Sequence, residues 1–216
     1  MKKNGFTLAE VLITLAIIGV VASLTLPSLM TNTAEQQAIT ALRKSVNTLS
    51  EVGQMSAAVD GFDYSGITVA TAPGDRATVD ANGIVEQSVW GILSNRAQVD
   101  RSRSISGGIP GSCAELSQIF FMDGTALCYE ATTTAGNAAA VIHGFIDTNG
   151  LKGPNSEFVC QDNVCAASTR TYGDQFPVTL KGSVIYPGNV SFNANGQVQD
   201  NQDANGSNAA RWAMRK

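Results

Sequence analysis

The chain has a single histidine among 216 residues and only four cysteines. A site built on two imidazoles is therefore excluded, and a zinc centre would have to be made from cysteines that are not closely paired. The lone His143 falls in an expected strand, where histidine is more often structural than catalytic. No Gly-rich phosphate loop, Ser nucleophile elbow or zinc-ligand motif occurs. No internal repeat is present. Charge is also sparse, at 15% of residues, and acids outnumber bases 18 to 14. A nucleic-acid binder normally carries a basic face. Here the only late basic group is Arg211, Arg215 and Lys216, which reads as a solvated tail. Enzyme and nucleic-acid classes are both disfavoured, and no cofactor is called for.

Charge is most strikingly absent near the start. Val11 to Met30 holds Thr14, Ser23, Thr25 and Ser28 but no ionised side chain. About 20 apolar residues suffice to cross a bilayer as a helix. Lys2 and Lys3 precede the run, which predicts a cytoplasmic N-terminus and export of everything after Thr31. A secretory signal is cut after its hydrophobic stretch. The only cleavage-like junction here, Gly5-Phe6, lies before it. Cutting there leaves the apolar segment on the mature protein as an anchor, an assembly surface, or both.

Proline is missing from Thr31 to Val59, and Gly53 is the only glycine there. Ile39, Leu42, Val46, Leu49, Val52, Met55 and Val59 recur in steps of three and four. That spacing predicts one apolar stripe on a helix. One nearly continuous helix is expected from about Phe6 to about Val59, on the order of 80 Å long. Pro27 removes a backbone donor inside it, so a kink or local opening is expected there.

The segment Gly5-Phe-Thr-Leu-Ala-Glu10-Val-Leu-Ile13, continued by Ala16-Ile-Ile-Gly19-Val-Val-Ala22, resembles the processing and assembly signature of type IV pilins and related pseudopilins. The resemblance implies cleavage by a prepilin peptidase between Gly5 and Phe6, N-methylation of Phe6 and an assembly role for Glu10. It implies an α+β pilin-like fold: a long N-terminal helix, transmembrane in its first half, packed on a mainly antiparallel β-sheet head. The divisions are a leader over 1–5, a helix over 6–59 with a span at about 8–30, and an exported head over 60–216.

The head is rich in Gly, Asn, Ser and Thr. Ile119–Met122, Asp123-Gly124 and Thr125–Tyr129 spell a hairpin with a two-residue turn. Ala140–Ile146, Phe176–Leu180 and Val184–Tyr186 are further expected strands, and Val85–Leu93 a short helix. Asn193–Asn208 reads as a polar loop before a short terminal segment holding Trp212. Ile146-Asp-Thr-Asn-Gly-Leu-Lys-Gly-Pro-Asn155 resembles an Asp-x-Asn-Gly-x-x-Gly-Pro-Asn segment of pilin-like proteins. In those, a Gly-x-Asp-x-Phe soon follows. Here Gly173-Asp174-Gln175-Phe176 comes late and lacks the spacer, with Cys160 and Cys165 in an apparent insertion between.

Cys113, Cys128, Cys160 and Cys165 all follow the span, where disulfides are favoured. Three connectivities are possible, and the two local pairs are the economical choice. Asp147 and Asn149 form part of a calcium-like loop, too short for an EF-hand, and Asx-Gly turns need no metal.

The expected function is a non-enzymatic filament subunit. Its expected partners are itself and other pilins through the N-terminal helix, the prepilin peptidase, an inner-membrane assembly platform and the membrane. The alternatives are a type II secretion pseudopilin, a minor pilin, or an adhesin or ligand-binding head displayed on the anchor. The expected location is the inner membrane with the head periplasmic, then a filament.

Overall fold

The computed structural model describes residues 5, 7–67, 86–106, 108–130, 141–161, 165–193, 197–199 and 205–215. The chain divides into two units, Met1–Gln37 and Ala38–Lys216.

Helix α1 runs Leu8–Val59 and passes through Pro27 without interruption. In the first unit its apolar side chains face outward all round. Leu12 is 59% exposed, Ile18 63% and Leu24 75%. A helix with no polar face is made for lipid or for other helices, and α1 is long and apolar enough to cross a membrane. Three of its hydroxyls are satisfied within the helix. Thr14 Oγ1 donates to the Val11 carbonyl at 2.9 Å, Ser23 Oγ to Val20 at 2.8 Å and Thr25 Oγ1 to Val21 at 3.0 Å. Such back-bonding lets Ser and Thr sit in an apolar segment without an unmet donor.

In the second unit the stripe does what its spacing predicts as far as Val52. Ile39, Leu42, Val46, Leu49 and Val52 are all buried. Met55 and Val59, expected on the same face, are instead 52% and 66% exposed. The 3.6-residue period carries the inner face to Gly53 and Ser56 at that end. A Cβ on Gly53 would come within 2.7 Å of Tyr64. Buried Ser56 donates to the Phe62 carbonyl at 2.8 Å as the chain turns away.

These residues pack into one core with an antiparallel sheet. Its strands are β1 (Ile105–Ser106), β2 (Ser117–Phe120), β3 (Ala126–Tyr129), β4 (Ile142–Asp147), β7 (Gln175–Lys181) and β8 (Val184–Pro187). They are ordered β1-β2-β3-β4-β7-β8. The register of β4 on β7 runs from Ile142 opposite Leu180 to Asp147 opposite Gln175. Gly144, in β4, has no room for a side chain, since a Cβ there would lie 2.2 Å from the Cys128 carbonyl oxygen. Two small ribbons flank the sheet: β5 (Val159–Cys160) with β6 (Arg170–Thr171), and β9 (Ser191–Phe192) with β10 (Val198–Gln199).

The β2–β3 hairpin differs from expectation. Phe121 N–H donates to the Thr125 carbonyl, and Gly124 N–H to Phe121. The connection is therefore three residues, Met122-Asp123-Gly124, with Gly124 alone at positive φ, +91°. A three-residue hairpin needs one left-handed residue at its end, where a two-residue type I′ turn needs two. Asp123 fixes this form by accepting from both the N–H and the hydroxyl of Thr125.

The expected short helix over 85–93 lies slightly later, as α2 (Val89–Arg96), because Ser88 caps it by accepting the Gly91 N–H at 2.9 Å. The terminal segment is a full helix, α3 (Asn205–Arg215), where a short tail after a loop was expected. Its small residues Ala209, Ala210 and Ala213 are buried. The Trp212 ring stacks 6.0 Å from Phe158, which itself stacks on Phe176 at 5.2 Å. Arg43 of α1 donates through Nε and Nη2 to the Ala213 carbonyl, at 2.9 and 2.7 Å. A cation near the last carbonyls of a helix complements its dipole.

The cysteines form two local disulfides, Cys113–Cys128 and Cys160–Cys165. The first ties a one-turn 3₁₀ segment, Gly111–Cys113, to β3. In the chain-entropy picture its 15-residue separation contributes about 3 kcal/mol and the 5-residue separation of the second about 2 kcal/mol. Replacing Cys113 and Cys128 together by Ser should therefore lower the melting temperature of the full chain more than replacing Cys160 and Cys165. Thermal melts of the two double variants decide this; equal losses would refute the ranking.

Candidate functional site

Two places in the chain concentrate chemistry, and they are of different kinds. The first is the N-terminal junction. Gly5 is exposed, and a Cβ on it would meet no atom within 4 Å. Nothing in this chain's own packing requires glycine there. The same holds for Gly19 within α1, although glycine inside a helix costs about 1 kcal/mol relative to Ala. Phe6, the expected methylation position, lies outside the described residues.

Glu10 sits in the first turn of α1. Its Oε2 accepts the Thr7 N–H and the Thr7 hydroxyl, both at 2.9 Å. The Glu10 N–H in turn points at Thr7 Oγ1 at 3.3 Å. This reciprocal exchange is a capping box, with Thr7 before the first helical residue and Glu10 three positions on. The Thr7-x-x-Glu10 spacing announces it in the sequence, where the carboxylate reads either as an assembly group or as a first-turn acid favoured by the helix dipole. Within one chain the carboxylate therefore has a local job, satisfying donors at the start of the helix. Its Oε1 makes no hydrogen bond among the described residues.

The second place is a buried polar knot in the head. Asp147 ends β4, Asp174 immediately precedes β7 and Gln175 opens it; all three have no exposed surface. Asp147 Oδ1 accepts the N–H groups of Asn149 and Gly150, at 3.1 and 2.6 Å. Gly150 takes the positive φ, +68°, that this turn demands. Asp147 Oδ2 accepts from Gln175 Nε2 at 3.1 Å. Gln175 reaches on to the other side, with Nε2 donating to the Pro110 carbonyl and Oε1 accepting the Ser112 N–H. Asp174 takes the N–H groups of Asn155 and Ser156, one on each oxygen, both at 3.0 Å. The two halves of the motif that the insertion separates in sequence are thus adjacent in space. Gly173 permits the approach, since a Cβ there would fall 2.4 Å from the backbone of Ser156 and Glu157. The inserted β5–β6 ribbon leaves from Glu157 and returns at Gly173 without disturbing the pairing of Glu157 with Gln175.

Both carboxylates of the knot, Asp147 and Asp174, are therefore engaged by the protein's own N–H groups. Asn149 Oδ1 and Asn155 Oδ1 are buried and have no hydrogen-bond partner among the described residues. They are the loop oxygens available to a hard cation. Among the described residues no group of three or more His, Cys, Asp or Glu side chains could hold a metal ion. His143 stands on β4 opposite Thr179 of β7, its Nδ1 3.4 Å from the Thr179 hydroxyl.

A family model, the prokaryotic N-terminal methylation motif, matches residues 1–26. The chain thus carries the N-terminal signature of type IV pilins and pseudopilins, on a long N-terminal helix followed by an antiparallel sheet. No curated protein and no solved structure matches the chain.

Burial raises the Asp147 carboxyl to about 6; the Gln175 and Asn149 hydrogen bonds oppose this, and the neighbouring Asp174 charge adds to it. A carboxyl whose folded value is raised stabilises the fold when protonated. That contribution is complete below the unfolded value near 4 and is lost as pH rises towards 6. Stability of the full chain should therefore fall across pH 4 to 6, and Asp147→Asn should flatten that part of the profile. Denaturant midpoints measured across this range check it; an unchanged slope in the variant would show that Asp147 is not the titrating group.

Proposed function

We propose that the chain is a structural, non-catalytic subunit of a type IV pilus or pilus-like filament. The observation that carries this reading is the methylation motif over residues 1–26, with Gly5, Phe6 and Glu10 at its centre. A prepilin peptidase cuts after Gly5, leaving a new amine on Phe6 that is then methylated. Before assembly the chain sits in the inner membrane by about residues 8–30, N-terminus inside and head outside. An assembly platform then moves it into a filament with copies of itself and other pilins.

Two features support a role for the first unit beyond anchoring. Gly5 and Gly19 have no neighbour that explains them, so their smallness serves another molecule: a peptidase at Gly5 and a closely approaching helix at Gly19. Pro27 removes the helical bond to the Ser23 carbonyl and marks where α1 opens or bends during packing. Glu10 contributes the register. An ionisable group at the edge of an apolar span is functional by default, and its carboxylate meets the Phe6 amine of a neighbouring subunit. In a low-dielectric bundle that attraction is far stronger than in water. A pseudopilin of a secretion system or a minor pilin would use the same signature in the same way.

The test separates pairing from capping. As the sole copy in cells, Glu10→Ala should still be cut to begin at Phe6 by mass spectrometry, yet assemble less than a tenth as many filaments. Thr7→Ala, which breaks the capping box but keeps the carboxylate, should assemble clearly better than Glu10→Ala, though less well than the unchanged chain. Equal failure of both would assign Glu10 to the cap. A mature chain still beginning at Met1 would remove the filament reading itself.

Calcium at the Asp147–Asn155 loop is a separate proposal, resting on the two unpartnered Asn oxygens. Calcium should then raise the melting temperature above that in chelator, and Asn149→Ala should abolish the difference. No shift with calcium would leave the loop as a metal-free turn.

A further inference from the structure

A cavity of about 260 Å³ lies in the head, away from the polar knot. It is a partly open hollow lined by α1 with Lys44, Ser45, Thr48 and Leu49, the end of α2 with Arg96 and the following Ala97 and Gln98, and the β2–β3 hairpin. Pockets for drug-sized ligands run from about 300 to 1,000 Å³, so this one suits a smaller molecule. Leu49, Ala97 and Phe121 give it an apolar side. On its polar side the buried hydroxyls of Ser45 and Thr125 lie 3.4 Å apart.

Its charges choose the ligand class. Lys44 Nζ and Asp123 Oδ2 are 2.8 Å apart at the rim, with side chains 62% and 31% exposed. Burial pushes the Asp123 carboxyl up, but the Lys44 ammonium and the Thr125 hydroxyl and N–H hold it below its ordinary value. It is therefore a carboxylate at neutral pH. An exposed ion pair contributes little, so it opens readily. Arg96 is the other cation of the lining. It spends Nε and Nη2 on Asp60, at 3.2 and 2.7 Å, and keeps Nη1 for another acceptor. The Arg96 charge is thus already met by Asp60. A simple anion entering here would suit Lys44 but abut Asp123, and a simple cation would suit Asp123 but abut Lys44. A molecule carrying both charges a few ångströms apart can exchange places with the Lys44–Asp123 pair and satisfy both groups.

We propose that this cavity binds a small zwitterion of the free α-amino-acid class. Its carboxylate faces Lys44, its ammonium faces Asp123, and its side chain lies against Leu49, Ala97 and Phe121. All of these residues belong to the second unit, so the site stands whether or not the chain forms filaments.

The experiment is calorimetric titration of the full chain in detergent micelles with L-leucine. Two analogues serve as controls: 4-methylpentanoate, which lacks the ammonium, and leucine methyl ester, which lacks the carboxylate. Glucose tests a neutral polyol. Leucine should bind with a dissociation constant at or below about 1 mM, and each analogue at least about ten-fold more weakly. Asp123→Asn and Lys44→Met should each weaken leucine by about ten-fold or more. Unchanged far-ultraviolet circular dichroism and melting would show that these variants still fold. Absence of leucine binding would overturn the proposal. So would 4-methylpentanoate or glucose binding as well as leucine, or variants that fold and bind normally.

Discussion

The rest of the structure is organised around a single helix whose surface changes character partway along. From Val11 to Met30 the described side chains of α1 are uncharged and almost all exposed. From Ile39 to Val52 they are apolar on one side only, and that side is buried. The first pattern fits lipid or a bundle of other helices, and the second fits a globular core. The hydroxyls of Thr14, Ser23 and Thr25 fold back on the helix, so the apolar half carries little that would resist leaving water. The striped half supplies the floor on which the sheet and the C-terminal helix rest, with Arg43 holding the end of α3.

The head faces a different constraint, because it must bury acids. Asp147, Asp174 and Gln175 have no exposed surface, yet a buried polar group is tolerable only when its hydrogen bonds are met. They meet them by joining three segments that are far apart in sequence: the 3₁₀ turn after Pro110, the loop over residues 147–156, and the start of β7. The Cys113–Cys128 bridge anchors the same 3₁₀ turn from its other side. The price is a carboxyl in Asp147 that prefers its proton up to about pH 6. Between the arms of this knot an insertion is harmless. The β5–β6 ribbon grows out of it and contributes Phe158 to the aromatic stack beneath α3.

What was legible in the sequence follows from the range of the forces. The apolar run, the stripe on α1, the strands around Val178 and Ile185 and the local disulfides are set by neighbours within a few residues, and patterning displays them. The three-residue form of the β2–β3 hairpin was not legible, because Asp-Gly suits more than one turn and Thr125 decides between them. Helix α3 was missed for a related reason. Its Asn, Gly and Ser start has weak helix propensity, and its stability comes from Ala209, Ala210 and Ala213 against the sheet and from Arg43, 170 residues away from Ala213 in sequence. The meeting of Asp147 with Asp174 was hidden by the insertion. The Asp-x-Asn-Gly and Gly-Asp pieces were visible, but nothing local shows that they close on one another.

Glu10 is where local and intermolecular forces meet. A carboxylate has about four acceptor positions, and the capping box uses one oxygen, Oε2, for both Thr7 donors. That arrangement fixes the side chain against the helix start while leaving Oε1 unbonded among the described residues. A side chain already held in place loses little rotamer freedom when a second partner arrives, whereas a free glutamate gives up about 1.5–2 kcal/mol of it. Capping and subunit pairing are therefore not rival uses of the carboxylate. Under the filament reading, the Thr7 contacts prepare Oε1 for an amine that exists only after the leader is cut. The order of events, cleavage first and assembly second, then follows from which atom supplies the positive charge.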